Sequence, residues 1–124
     1  MANLLSSIYI VDSIHDPDTN VRDTVFTRSS EESRLLYKVW LYLDGPSLPF
    51  VNKVTYYLHP TFPRPVQTVT RTPSNPTCKL MIWTWGIFTV KAVVEDKQGG
   101  IVEVEHYLTY DRELRESGLK IIKA

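Results

Sequence analysis

The chain has 124 residues, 14 acidic and 14 basic side chains, and 43% hydrophobic residues. This length suits one compact domain and leaves no room for a second core, and the composition is that of a folded globular chain. A net charge of zero removes the non-specific electrostatic attraction on which most nucleic-acid binding depends, so we predict no nucleic-acid partner.

Cysteine content and the N-terminus indicate the cellular compartment. Cys78 is the single cysteine, so no internal disulfide can form, and the first residues lack the features of a secretory signal. No apolar run approaches the roughly 18 residues that a membrane span requires. We therefore expect a cytoplasmic chain with no membrane span.

Strand signals dominate the first half of the chain. Residues 7–13 and 21–27 are predicted strands, and residues 35–43 form a third that is rich in aromatic and β-branched residues. The third strand ends at the turn sequence Asp44-Gly45-Pro46. A fourth strand is predicted over residues 51–59.

The second half continues with strands and ends ambiguously. A short strand is predicted over residues 66–72, between clusters of proline, and residues 87–95 and 101–109 alternate in polarity around a glycine turn as a hairpin does. Residues 111–124 form either a short helix, with Asp111 as N-cap and Gly118 just after its end, or an exposed tail.

This pattern predicts an all-β, single-domain fold. About seven or eight short strands suit an immunoglobulin-like antiparallel β-sandwich, because a single sheet would leave an apolar face exposed; a small barrel is the alternative. Residues 1–34 would supply N-terminal strands of the sandwich, residues 35–110 its core, and residues 111–124 the helix or tail.

Metal and cofactor chemistry lacks the necessary residues. Residues 16–20 (DPDTN) begin like a calcium loop, but Val21 stands where that loop needs Gly and Thr27 where it needs Glu, so an Asx turn is predicted instead. The three histidines lie on different elements and there is no second cysteine, so no zinc ligand set is present. We predict neither a metal nor a cofactor.

Catalytic motifs are also missing. Cys78 and His59 could form a nucleophile and base, but no orienting acid or glycine-shaped elbow accompanies them, and no phosphate loop or carboxylate pair occurs. His106 lies on the apolar face of its strand, where a hydrogen-bonded structural histidine is expected. The chain is predicted not to be an enzyme.

Two loops carry binding chemistry. Residues 58–65 (LHPTFPRP) and 83–88 (WTWGIF) place rings, an imidazole and a hydroxyl on turns shaped by Pro and Gly. Spacing alone leaves core packing of these rings equally open, and Trp85 followed by Gly86 fits that alternative least. The candidate ligand-binding residues are His59, Thr61, Phe62, Trp83, Trp85, Gly86 and Phe88.

These loops carry a family resemblance. Residues 54–66 (VTYYLHPTFPRPV) resemble the V-x-y-x-L-H-x-[ST]-F-x-x-P pattern of YEATS domains, and residues 85–88 (WGIF) resemble their [WY]-G-x-F pattern. The chain looks most like the prokaryotic branch, over about residues 35–110. The resemblance implies an immunoglobulin-like sandwich and a non-enzymatic protein-binding module.

The resemblance also implies how the site works. Eukaryotic YEATS domains recognise acetylated or crotonylated lysine on histone tails, in a groove between the two motif loops. By matching position, Phe62 and Trp85 would be the walls, and His59 and Phe88 would close the pocket. Thr61 keeps the hydroxyl of the usual Ser, and the backbone N–H of Trp85 would donate to the acyl carbonyl. Acylation removes the lysine charge, so the neutral amide can be buried between rings.

Charge distribution bears on the partner. Residues 45–94 contain five basic residues and no carboxylate, so we expect the acylated lysine to lie in an acidic segment of a partner protein. The alternative is an immunoglobulin-like adaptor of a prokaryotic signalling or defence system without acyl-lysine binding. It would follow if the loop residues Leu80, Met81 and Ile82 filled the pocket. The sequence leaves the oligomeric state open.

Overall fold

A computed structural model describes residues 4–19, 24–29, 34–115 and 119–123. The predicted strand start at Val21 and the predicted helix end at Gly118 lie outside these ranges. No helix in the described part is long and apolar enough to span a membrane. The elements are β1 (Tyr9–Ser13), β2 (Thr24–Ser29), β3 (Leu35–Asp44), a 3-10 turn (Leu48–Phe50), β4 (Val51–Tyr57), β5 (Val66–Thr70), β6 (Leu80–Thr84), β7 (Thr89–Asp96), β8 (Ile101–Tyr107), α1 (Tyr110–Glu113) and β9 (Lys120–Lys123).

The strands form two sheets. In the five-stranded sheet, β3 pairs with β6 along one edge and with both β1 and β2 along the other. The strand β9 adds to β2 in parallel, and every other strand pair is antiparallel. The four-stranded sheet has the order β5-β4-β7-β8. We refer to these as the β3 sheet and the β4 sheet.

Alternation along the strands builds the core between the sheets. Successive side chains point to opposite faces of a strand, so alternate residues face the space between the sheets. From β3 these are Val39, Leu41 and Leu43, and they meet inward residues of the β4 sheet such as Val54, Tyr56, Val90, Ala92 and Val94. The predicted all-β sandwich is confirmed, and the chain is not a barrel.

Three predictions about local structure are wrong. Residues 80–82, expected in a loop, belong to β6, whose pairing with β3 was not foreseen. The helix near the C-terminus is a single turn that begins at Tyr110, with Thr109 rather than Asp111 at its N-cap. Beyond it, Lys120–Lys123 form the edge strand β9 instead of a tail. Edge strands are short and weakly patterned, so neighbouring strands decide them more than propensity does.

A buried carboxylate joins β1, β8 and α1. The side chain of Asp12 accepts hydrogen bonds from the Thr109 N–H and hydroxyl and from the Tyr110 N–H, and it lies 2.5 Å from His106 Nε2. In addition, the Glu113 carboxylate of α1 accepts a hydrogen bond from Ser13 Oγ at the end of β1. His106 is therefore a hydrogen-bonded structural residue, as expected from its position.

Burial of ionisable groups predicts a loss of stability in alkali. Burial raises the pKa of the Cys78 thiol to about 11, although nearby Arg71 opposes the shift. Burial likewise raises the pKa of Tyr110 to about 12. Below the ordinary thiol pKa both the folded and unfolded forms are protonated, so stability is unchanged there. At higher pH only the unfolded thiol ionises, and stability falls until the pH passes about 11.

The measurement is the free energy of unfolding in urea at two pH values. Between about pH 8 and about pH 10.5, Cys78 alone should lower it by about 2 kcal/mol, with the tyrosines adding to the loss. Cys78→Ala should remove that share and leave the share of the tyrosines. A free energy of unfolding that does not change over this range in the wild type would contradict the prediction.

Candidate functional site

The loop between β4 and β5 is held in a fixed turn. Its ends are joined by the hydrogen bond from Leu58 N–H to the Pro65 carbonyl, at 2.7 Å. Inside it, the Phe62 N–H donates to the His59 carbonyl at 3.0 Å, which closes a four-residue turn with Pro60 at its second position. Proline already has the backbone angle that this position needs, so the loop is set before a ligand arrives.

The same turn fixes the imidazole of His59. Nδ1 accepts the Thr61 backbone N–H at 3.2 Å and lies 2.8 Å from Thr61 Oγ1. A backbone N–H can only donate, so Nδ1 is the acceptor and the neutral ring carries its proton on Nε2. The Thr61 hydroxyl therefore donates to Nδ1 and keeps its oxygen lone pairs for another donor.

Two side-chain hydroxyls hold the loop between β6 and β7 in place. Thr84, the last residue of β6, is buried, and its hydroxyl donates to the Gly86 carbonyl at 3.2 Å. The Tyr110 hydroxyl donates to the same carbonyl at 3.0 Å. Thr84 thus stabilises the turn that presents Trp85.

The two loops enclose a cavity of about 170 Å³. Phe88 forms its ring-lined base, with the Phe62 ring centroid at 5.4 Å and the His59 ring centroid at 6.1 Å from the Phe88 ring. Trp85 stands at the rim with 56% of its surface exposed. The lining residues are His59, Thr61, Phe62, Thr84, Trp85, Gly86, Ile87 and Phe88.

Six of the seven residues chosen from the sequence line this cavity, and Trp83 does not. Trp83 belongs to β6 and points to the outer face of the β3 sheet, where the Arg28 guanidinium lies 4.5 Å from the centroid of its ring. Thr84 and Ile87 line the cavity but were not chosen, because a Thr or an Ile in a strand end carries no binding signal. Leu80, Met81 and Ile82 do not line it either, so they do not fill it.

The lining contains no Asp, Glu, Lys or Arg. A cation lies on the rim residue Trp85: the guanidinium carbon of Arg34 is 4.2 Å from the centroid of its ring. A cation over the face of an indole is attracted by the negative face of the ring, which orders the rim. The lining of the cavity is therefore uncharged, and Arg34 lies at its rim.

The basic character expected for residues 45–94 is reduced in the folded chain. Lys79 Nζ lies 2.9 Å from Asp16 and 2.5 Å from Asp18. Burial works to raise the pKa of Asp16, but hydrogen bonds from the Asp18 backbone and Lys79 outweigh it and hold this pKa below its usual value. Lys79 is therefore neutralised, and residues 16–19 form the predicted Asx turn, with Asp18 N–H donating to Asp16. Among the described residues no cluster of His, Cys, Asp and Glu could hold a metal ion.

An immunoglobulin-like sandwich with a ring-lined cavity between two end loops is the architecture of a YEATS-type domain. The sequence profile of the prokaryotic YEATS domain matches residues 37–109. This match covers more than half of the chain, and the chain belongs to the prokaryotic YEATS family. No curated protein matches it in sequence.

Solved structures agree with this fold. The chain is similar to the Yaf9 YEATS domain described as recognising a succinylated H3 peptide, with 21% identity and a TM-score of 0.55, over 86% of this chain and 73% of that one. It is also similar to the yeast AF-9 homolog protein Yaf9, with 19% identity and a TM-score of 0.56, over 84% of this chain and 66% of that one. At these identities the likeness shows the fold.

Proposed function

We propose that the chain is a non-enzymatic reader of acylated lysine on a partner protein. The observation that carries the proposal is the uncharged cavity between the two loops, with rings on several sides and an opening beside Trp85. Acylation converts an ammonium, which is costly to strip of water, into a planar neutral amide that can stack between rings. The Yaf9 domain, with its H3 peptide, supports a peptide segment as the partner.

Each lining residue has a role in this proposal. Phe62 and Trp85 flank the flat acyl amide, and Phe88 closes the base. The Thr61 oxygen, with its own proton directed at His59, accepts the amide N–H of the modified lysine. The Trp85 backbone N–H donates to the acyl carbonyl. Open space beside Gly86, where an added Cβ would meet no atom within 4 Å, lets the lysine stem pass close to the backbone.

The pair His59 and Thr61 is suited to binding rather than to catalysis. A hydroxyl hydrogen-bonded to an imidazole resembles a nucleophile and its base, but an activated pair also needs a group that orients the imidazole. No carboxylate of the described residues contacts His59, and its Nδ1 is already shared with a backbone N–H. The lining therefore favours a binding module over a hydrolase.

The test is a titration with matched lysine peptides, followed by tryptophan fluorescence and NMR. Acetylated and crotonylated peptides should give saturable shifts at Phe62 and Trp85, and the unmodified peptide should give none, because its ammonium would lose its water without a counter-charge. Each peptide is made with acidic and with basic flanks, and we expect the acidic version to bind more tightly because residues 45–94, which supply both loops, contain five basic residues and no carboxylate. No shift with any acylated peptide at millimolar concentration would overturn the proposal in favour of an adaptor without acyl-lysine binding.

A further inference from the structure

A second surface lies on the outer face of the β3 sheet. Alternation places Lys38 and Trp40 of β3 on this face, together with Phe26 of β2 and Trp83 of β6. Lys38 and Trp83 are direct partners in the pairing of β3 with β6. The face is therefore covered by rings from three neighbouring strands rather than by the polar residues typical of a solvated sheet face.

Two cations lie on these rings. The Arg28 guanidinium carbon is 4.5 Å from the Trp83 ring centroid, and Lys38 Nζ is 5.0 Å from the centroid of Phe26 and 5.3 Å from that of Trp40. Within the described residues, neither Arg28 nor Lys38 lies within 4.0 Å of a carboxylate, although Asp16, across the cavity beside Lys38, attracts Lys38 electrostatically. By contrast, Lys53 and Lys91 of the β4 sheet, and Lys79 just before β6, each lie within 4.0 Å of a carboxylate.

Arg28 and Lys38 therefore differ from these three lysines, because neither has a carboxylate within 4.0 Å. A cation stacked on a ring has its position fixed, but the ring neutralises little of its charge, so its outer side remains available to an anion. Beside Lys38, a cavity of about 230 Å³ runs between Phe26, Trp40 and the turn at Ile14. An occupant with carboxylates next to an apolar side chain would satisfy both features.

We propose that the outer face of the β3 sheet is a docking surface for an acidic peptide segment. Carboxylates of the segment pair with Arg28 and Lys38, and a neighbouring apolar side chain enters the cavity beside Trp40. A nucleic acid fits less well, because two cations are few for a phosphate backbone and a base has no apolar side chain to place in the cavity. This surface uses none of the residues that line the acyl-lysine cavity, so it does not depend on that function.

The experiment is calorimetric titration of the full chain with defined peptides. The probe is a short peptide of Glu and Asp with one central Leu, compared with the same peptide carrying Gln and Asn, and with single-stranded oligothymidine. We expect saturable binding of the acidic peptide alone. Arg28→Gln and Lys38→Gln should each weaken it by about two- to fivefold, the range for exposed ion pairs, and raised salt should weaken it further.

Controls make the result decisive. Lys91→Gln, on the outer face of the β4 sheet, should leave the affinity unchanged, and thermal unfolding should show that all variants are folded. The double variant Arg28→Glu with Lys38→Glu should lose the acidic peptide and gain a Lys-rich one. Equal binding of the Gln and Asn peptide, preferential binding of oligothymidine, or an affinity that is unaffected by the Arg28 and Lys38 changes would each overturn the proposal.

Discussion

Replacing Asp12 with Ala is expected to lower the free energy of unfolding by about 3–5 kcal/mol, the range for breaking a buried charged network. The Asp12 side chain is fully buried and has donors from His106, Thr109 and Tyr110 around it. Without the carboxylate, two backbone N–H groups at the start of α1 lose their partners, and buried unpaired donors are costly. Since small domains have only about 5–15 kcal/mol of stability, much of it would be lost.

Urea denaturation, followed by tryptophan fluorescence, measures this loss. His106→Ala removes one donor and leaves the carboxylate with its backbone partners, so it should cost less than Asp12→Ala. Asp111→Asn in α1 is the control, because the Asp111 carboxylate is 42% exposed and, among the described residues, pairs with Arg115 at the surface; we expect a change within about 0.5 kcal/mol. If Asp12→Ala cost no more than Asp111→Asn, the network would not stabilise the fold.

Asp12 also shows why the sequence predicts the strands better than it predicts contacts between residues that are far apart in the chain. Alternation identifies β7 and β8, and a high content of aromatic and β-branched residues identifies β3. Nothing in the neighbourhood of Asp12 distinguishes it from an exposed acid, because its partners Thr109 and Tyr110 lie about a hundred positions further along the chain. Such contacts depend on how the sheets pack, which local patterns do not encode.

The two loops of the candidate site also differ in how well the sequence predicts them. The loop of residues 58–65 was predictable, because Pro60 and the L-H-x-[ST]-F pattern fix its turn locally. The loop before β7 was predictable only in part, because the edge strand β6 has the apolar residues Met81 and Trp83 on its outward face, and these hide its alternation. Side chains alternate between the two faces of β6, so Trp83 points outward and Thr84 points inward. This alternation explains why Trp83 does not line the cavity. The bracing of Gly86 by Tyr110 needs the folded C-terminal helix.

The rim residue Trp85 separates a reader from a scaffold. Trp85→Ala should weaken binding of an acylated peptide by about 30-fold or more, because a Trp that covers a ligand typically contributes 2 kcal/mol or more. The same change should cost little stability, since the side chain is 56% exposed and lies outside the core. Peptide affinity by NMR titration and unfolding by urea are measured on the same samples.

Trp83→Ala provides the control, because it removes the same side chain two positions away, from a residue that does not line the cavity. We expect it to leave the affinity for acylated peptide within about twofold, and to weaken the acidic peptide that docks on the β3 sheet. Should Trp85→Ala reduce stability while the folded protein keeps its affinity for acylated peptide, Trp85 would be a structural support for its loop. The two tryptophans thus report on two different surfaces, and a change that affects both ligands equally would mean that these surfaces form one site.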